Sequence, residues 1–131
     1  MDYLVDTCFL IDLWREQRKP GPATALSRKL ISASIGINWV TTGEFLGGGV
    51  LAGHDPDALQ RILAGYRRVQ SDDETVAIYA RLYARCRQEK RAIGPADLWI
   101  AASALRHAVP LITRNQREFA GLPGLESVDY P

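Results

Sequence analysis

Cysteine, histidine and lysine are all scarce in this chain. It has two cysteines, two histidines, and lysine only at 19, 29 and 90 among 131 residues. Cys8 and Cys86 lie far apart, so a disulfide framework is not supported and buried reduced thiols are expected. His54 and His107 stand near no Cys and not near one another at a zinc-like spacing, which argues against a zinc site. No lysine follows Lys90, so a phosphoacceptor domain that needs a lysine on its late strands is disfavoured. No apolar run approaches the roughly 20 residues of a membrane span. The N-terminus also lacks the basic start, apolar stretch and small-residue cleavage site of a signal peptide, which predicts a cytoplasmic protein.

The formal net charge is only +1, so the overall field says little about partners. Almost all the cations are arginines. Their guanidinium forks suit bidentate contact with phosphate, but composition alone does not assign them that role. With 47% hydrophobic and 24% charged residues, the chain reads as one globular domain over 1–131 with enough apolar mass for a core.

The pattern opens with the apolar run Tyr3-Leu4-Val5, which meets Asp6 and then turns amphipathic from Thr7 onward. This predicts a short buried strand ending at Asp6 and a helix starting at Thr7. A second helix is expected from Pro22 towards Ser34, then a strand over Ile35 to Asn38. A helix containing Gly47-Gly48-Gly49 comes next, followed by one starting at Asp55-Pro56 and a short strand over Arg67 to Gln70. The longest helix should run from Ser71 to about Arg91, with Val76, Tyr79, Tyr83 and Cys86 facing inward. An almost wholly apolar helix is expected from Ala96 to His107, then a strand over Val109 to Thr113. A turn or short helix over Arg114 to Phe119 and a last strand over Leu125 to Val128 complete the series. Such alternation implies α/β architecture, a parallel sheet with helices on both faces.

Two explanations stand side by side for each acid in this pattern. Asp6 is placed either to cap the first helix or to bind metal at the carboxyl edge of the sheet. Thr41 and Glu44 fit a capping box, and Asp97 suits the positive end of a helix. However, strand ends and crossover-helix starts share one edge of a parallel sheet. Asp6, Glu44, Asp97 and Asn115 are therefore expected to converge there. Crowded carboxylates raise one another's pKa, and a divalent cation bound by hard oxygens, Mg²⁺ or Mn²⁺, relieves the repulsion. Such an ion polarises phosphoryl oxygen and acidifies a water, which suits phosphodiester hydrolysis.

Four segments in order now resemble a known family. They are Tyr3 to Leu13 with Asp6-Thr7, Thr41-Thr42-Gly43-Glu44-Phe45-Leu46-Gly47, Ala96-Asp97-Leu98-Trp99-Ile100-Ala101-Ala102, and Leu111-Ile112-Thr113-Arg114-Asn115-Gln116-Arg117-Glu118-Phe119. Together they resemble a PIN domain, and more narrowly a VapC-type toxin of a type II toxin-antitoxin pair. The resemblance implies a PIN-like three-layer α/β/α sandwich with a central, mostly parallel sheet of four to five strands. It also implies a metal-dependent endoribonuclease restrained by a cognate antitoxin and commonly a homodimer. Its acids fall on Asp6, Glu44 and Asp97, with Asn115 as the fourth polar position, where many relatives carry Asp. Asn115 is thus expected to position water or serve a weaker second metal. Glu118 stands where relatives often have Asp and is expected to support the site. Thr7 and Thr113 are expected to orient carboxylates or water, and Arg114 and Arg117 to meet RNA phosphates. The family pattern asks for only one small residue where Gly47 to Gly49 stand. Other readings are a degenerate binding module, or a phosphatase or phosphotransferase using Asp6 as nucleophile. The latter wants a second Asp two residues on, where this chain has Cys8.

Overall fold

The computed structural model describes residues 1–131 and contains a five-stranded sheet in which every neighbouring pair is parallel. The strands are β1 (Tyr3–Val5), β2 (Ile35–Asn38), β3 (Arg67–Val69), β4 (Leu111–Ile112) and β5 (Ser127–Val128), in the spatial order β3-β2-β1-β4-β5. The chain builds outward from β1 through β2 to β3, then returns to the other side of β1 for β4 and β5. The boundary between β1 and β4 is therefore the topological switch point, where open α/β sheets leave a crevice at the strands' carboxyl ends. The register sets Leu4 beside Leu111 and Val5 beside Ile112, so these strands end together.

Seven helices cover the sheet: α1 (Thr7–Arg15), α2 (Pro22–Lys29), α3 (Trp39–Leu51), α4 (Pro56–Leu63), α5 (Asp73–Gln88), α6 (Pro95–Arg106) and the single turn α7 (Gln116–Phe119). Alternate residues of β1 feed two cores, as strand geometry requires. Leu4 packs with Leu82, Cys86, Leu98, Ala101 and Leu111 under α5 and α6. Val5 packs with Phe9, Leu10, Ile37, Phe45 and Leu59 under α1, α3 and α4. This is the three-layer arrangement expected, with all five strands parallel. No helix is long and apolar enough to cross a membrane.

Several local expectations need correction. The buried face of α5 runs through Thr75, Leu82 and Cys86, with Tyr79 partly buried, while Val76 and Tyr83 are 48% and 46% exposed. The inward stripe is thus turned by about one residue from the one read in the sequence. Helices α2 and α5 also stop short of the expected Ser34 and Arg91. Within the glycine run, a Cβ would meet nothing at Gly47 or Gly48, but at Gly49 it would come within 2.6 Å of Leu59. Only Gly49 has a packing reason, the close approach of α4.

Candidate active site

Asp6 follows β1 and has extended backbone, as an N-cap must. Its Oδ1 accepts from the Phe9 N–H at 3.1 Å, so the capping explanation holds. The cap does not exhaust this side chain. The Thr113 hydroxyl, at the end of neighbouring β4, donates to Oδ2. The Cys8 thiol lies 3.0 Å from both carboxylate oxygens and shares its proton between them. Asp6 is only 3% exposed. Burial raises its pKa, and the hydrogen bonds from Cys8, Thr113 and Phe9 oppose that rise. Cys8 is driven the other way from a reactive thiol, up to about 11, by burial and then by the charge of Asp6.

Glu44 is exposed on the second turn of α3 and accepts from the Thr7 hydroxyl at 2.6 Å, which ties the start of α1 to α3. The expected Thr41-to-Glu44 capping box is absent. The helix begins earlier, at Trp39, and Asn38 caps it by accepting from the Thr41 N–H at 2.8 Å. Asn38 is itself buried, and its amide donates to Ser103 Oγ at 3.2 Å, locking β2 to α6. Glu44 is therefore free of the role that the dull explanation gave it.

Asp97 is the third residue of α6, whose Gly94 cap contributes no side-chain bond. Burial first, then a hydrogen bond and charge repulsion from Glu118, then the charges of Glu44 and Asp6, push its pKa up to about 7. Asp97 thus feels the other three acids at this edge. Yet no three His, Cys, Asp or Glu side chains stand close enough together to make a ready-built metal cluster. The donors match a hard cation in kind, being carboxylate oxygens with excess negative charge, and they remain open rather than closed around a point.

Asn115 is exposed, and its N–H donates to the Thr113 hydroxyl at 2.9 Å while its side chain makes no capping bond to α7. It lines a groove of about 420 Å³ with Arg91, Ile93, Arg117 and Glu118. Arg91 donates to the Glu118 carbonyl at 2.7 Å, and Gln116 donates to the Thr113 carbonyl at 2.6 Å. These two bonds hold α7 against the sheet edge. Arg117 is exposed, whereas Arg114 reaches α1 and pairs with Asp12 at 3.1 Å. Trp39 and Trp99 pack edge to face at 5.6 Å, and Tyr79 stacks on Trp99 at 3.9 Å, so these rings are satisfied by one another.

Sequence reasoning gave Asp12, a structural partner only 7% exposed, no place in the site, and it did not single out Tyr130, whose hydroxyl donates to Asp12 at 2.9 Å. It also gave Cys8 no place beside Asp6. The adjacency of Cys8 to Asp6 was available as a signal, but nothing in the sequence links Tyr130 to α1.

With this geometry in hand, the relatives are informative. Residues 3–125 match the PIN domain family. The chain is 34% identical over 110 residues to ribonuclease VapC5 of Mycobacterium tuberculosis, covering 79% of this chain and 80% of that protein. Its structure is similar to VapBC-5 of M. tuberculosis, a member of the VapBC family of toxin-antitoxin systems, with a TM-score of 0.73, 26% identity and 98% of both chains covered. A TM-score of 0.83 relates it to VapBC-1 of nontypeable Haemophilus influenzae at 22% identity, over 99% of this chain and 98% of that one, a likeness of fold. A match spanning nearly the whole sequence, together with a relative of this identity, means that the chain belongs to the PIN domain family.

Proposed function

We propose that this protein is a VapC-type ribonuclease, the toxin of a toxin-antitoxin pair, which hydrolyses RNA phosphodiester bonds with Mg²⁺ or Mn²⁺. The observation that carries this reading is the single acidic edge formed by Asp6, Glu44, Asp97 and Glu118, where burial first and the neighbouring acids second push the Asp97 pKa up to about 7. Asp6, Glu44 and Asp97 would hold the ion, which supplies Lewis-acid polarisation of the phosphoryl group and activation of water. Thr113 orients Asp6, and Thr7 orients Glu44. Asn115 offers an uncommitted amide to a water or phosphate oxygen. Arg114 and Arg117 supply positive charge beside an edge that otherwise repels a polyanion.

A cognate antitoxin is the natural partner of such a chain in the cytoplasm, given its likeness to a VapBC toxin-antitoxin protein. An apolar groove beside Glu44, lined by Ile11, Trp14, Phe45 and Leu59, supports protein docking next to the acids. The resemblance to VapC-type toxins also implies a homodimer.

Incubating the partner-free protein with structured RNA and Mn²⁺ tests the reading. Wild type should cleave, and Asp6→Asn should lose at least about 100-fold in rate, the order at which one charge-stabilising group is felt. Equal cleavage by the two proteins would overturn the assignment.

A further inference from the structure

Asp12 is the one buried acid that the proposed chemistry leaves unused. It lies six residues beyond Asp6 on α1, about 9 Å along the axis at the rise of an α-helix. Both of its oxygens are engaged. Tyr130 donates its hydroxyl to Oδ2 at 2.9 Å, and Arg114 Nη1 stands 3.3 Å from Oδ1 and 3.1 Å from Oδ2. A buried carboxylate is costly unless its oxygens are paired, so these two donors are what permit a charge here. Tyr130 is 5% exposed and packs edge to face on Phe9 at 5.1 Å, which fixes the direction of its hydroxyl.

The three members of this network differ in one respect. Asp12 and Tyr130 are buried, while the Arg114 side chain is 54% exposed and engages Asp12 through Nη1 alone. The rest of its guanidinium fork can therefore receive a second planar or tetrahedral anion. Arg114 also stands between Thr113, which bonds Asp6, and Asn115. A half-exposed ion pair contributes little to stability, and an apolar side chain in place of Asp12 would avoid the cost of burying a charge. Holding one arginine at a set place beside a repulsive edge is a use that accounts for that cost.

We infer that Arg114 binds a phosphate of the RNA flanking the cleaved bond, and that Asp12 and Tyr130 are positioning residues that aim its guanidinium. The inference rests on the ribonuclease reading and adds to it a substrate-backbone subsite on the α1 flank. Binding is independent of base identity at this subsite, because a guanidinium on phosphate reads no sequence.

The test measures binding of a labelled single-stranded RNA of mixed sequence by fluorescence anisotropy across a salt series. Every protein carries Asp6→Asn to suppress cleavage, and thermal melts confirm folding. Arg114→Ala should weaken binding about 10-fold and reduce the slope of log K against log salt by about 0.7, the value for one phosphate contact on a single strand. Arg114→Lys should keep the slope and recover only part of the affinity. Tyr130→Phe retains the packing on Phe9 and should weaken binding about 3-fold, with no further loss when combined with Arg114→Ala. In proteins with Asp6 intact, Arg114→Ala should raise KM more than it lowers kcat. Unchanged affinity and slope in Arg114→Ala, in a protein whose wild type cleaves RNA, would overturn the subsite and leave the ribonuclease standing. Additive losses for Tyr130→Phe and Arg114→Ala would overturn the positioning role. Failure of wild type to cleave would remove both readings together.

Discussion

The acidic edge has two halves that are built on opposite plans. At the switch point, Asp6 is buried under three donors, the Thr113 hydroxyl, the Cys8 thiol and the Phe9 N–H. On α6, Asp97 has a glycine cap behind it and other acids in front, so its surroundings add to the cost of charge that Asp6's donors oppose. Where the chain supplies fixed dipoles, the carboxylate is oriented before any ligand arrives. Where it supplies burial and like charges instead, the carboxyl keeps its proton. One half is thus a rigid anchor, and the other is a proton-holding arm that a divalent ion would displace from its proton.

The contrast breaks most visibly if the anchor loses its donor. Thr113→Val preserves shape while removing both the proton given to Asp6 and the oxygen that accepts from the Asn115 N–H. In the proposed reaction, with Asp6 holding the ion, cleavage should fall about 10- to 100-fold, the usual cost of removing an outer hydrogen bond to a metal ligand. Stability should drop by about 1–3 kcal/mol because buried polar groups are left unpaired. Steady-state kinetics and urea melts check the two effects. Wild-type rates in this variant would mean that the helix cap alone holds Asp6.

The other half should respond to pH. Asp97 keeps its proton to about 7 in the folded, metal-free protein, against an ordinary 3.8. Between those values the native state binds more protons than the unfolded one, so this group's contribution to stability falls as pH rises through the window and is lost above about 7. Asp97→Asn removes the term. Its melting temperature should vary less with pH across that window, and above it the variant should be more stable than wild type by roughly 1 kcal/mol, a figure reduced for solvent screening at a half-exposed position. Thermal melts in chelator at several pH values decide this. Parallel curves for the two proteins would show that Asp97 carries no such strain.

The two halves also differed in how far the sequence revealed them. The convergence of Asp6, Glu44 and Asp97 followed from topology, because strand ends and helix starts share an edge once the sheet is parallel. Asp6 was legible as an acid out of place after Leu4-Val5. What sequence could not show was the lateral support. Thr113 meets Asp6 only because β4 pairs with β1 in a register that ends them together. Tyr130 reaches Asp12 across 118 positions. The end of α5 was overshot for a local reason, since the helix is followed by Lys90 with φ of 55°, as α6 is by Ala108 with φ of 53°. Those left-handed positions are usually marked by glycine, and here no glycine announces them. The inward face of α5 was misread because Val76 and Tyr83 are apolar yet exposed, which periodicity alone cannot separate from core.

The smallest effect expected concerns the coupling within the arm itself. Glu118 sits on the single-turn α7 and, after burial, is the neighbour that raises the Asp97 pKa most, in part through its charge. Glu118→Gln keeps a hydrogen-bonding group of the same size and removes that charge. Asp97 should then release its proton at a lower pH, so the midpoint of pH-dependent Mn²⁺ binding should move below that of wild type. Calorimetric titration with Mn²⁺ in a series of buffers reads the midpoint directly, and the Asp6 anchor should be indifferent to the change because its donors come from α1 and β4. If the midpoint stays where wild type has it, burial with the charges of Glu44 and Asp6 governs Asp97, and its readiness to trade a proton for a cation does not come from the acid on α7.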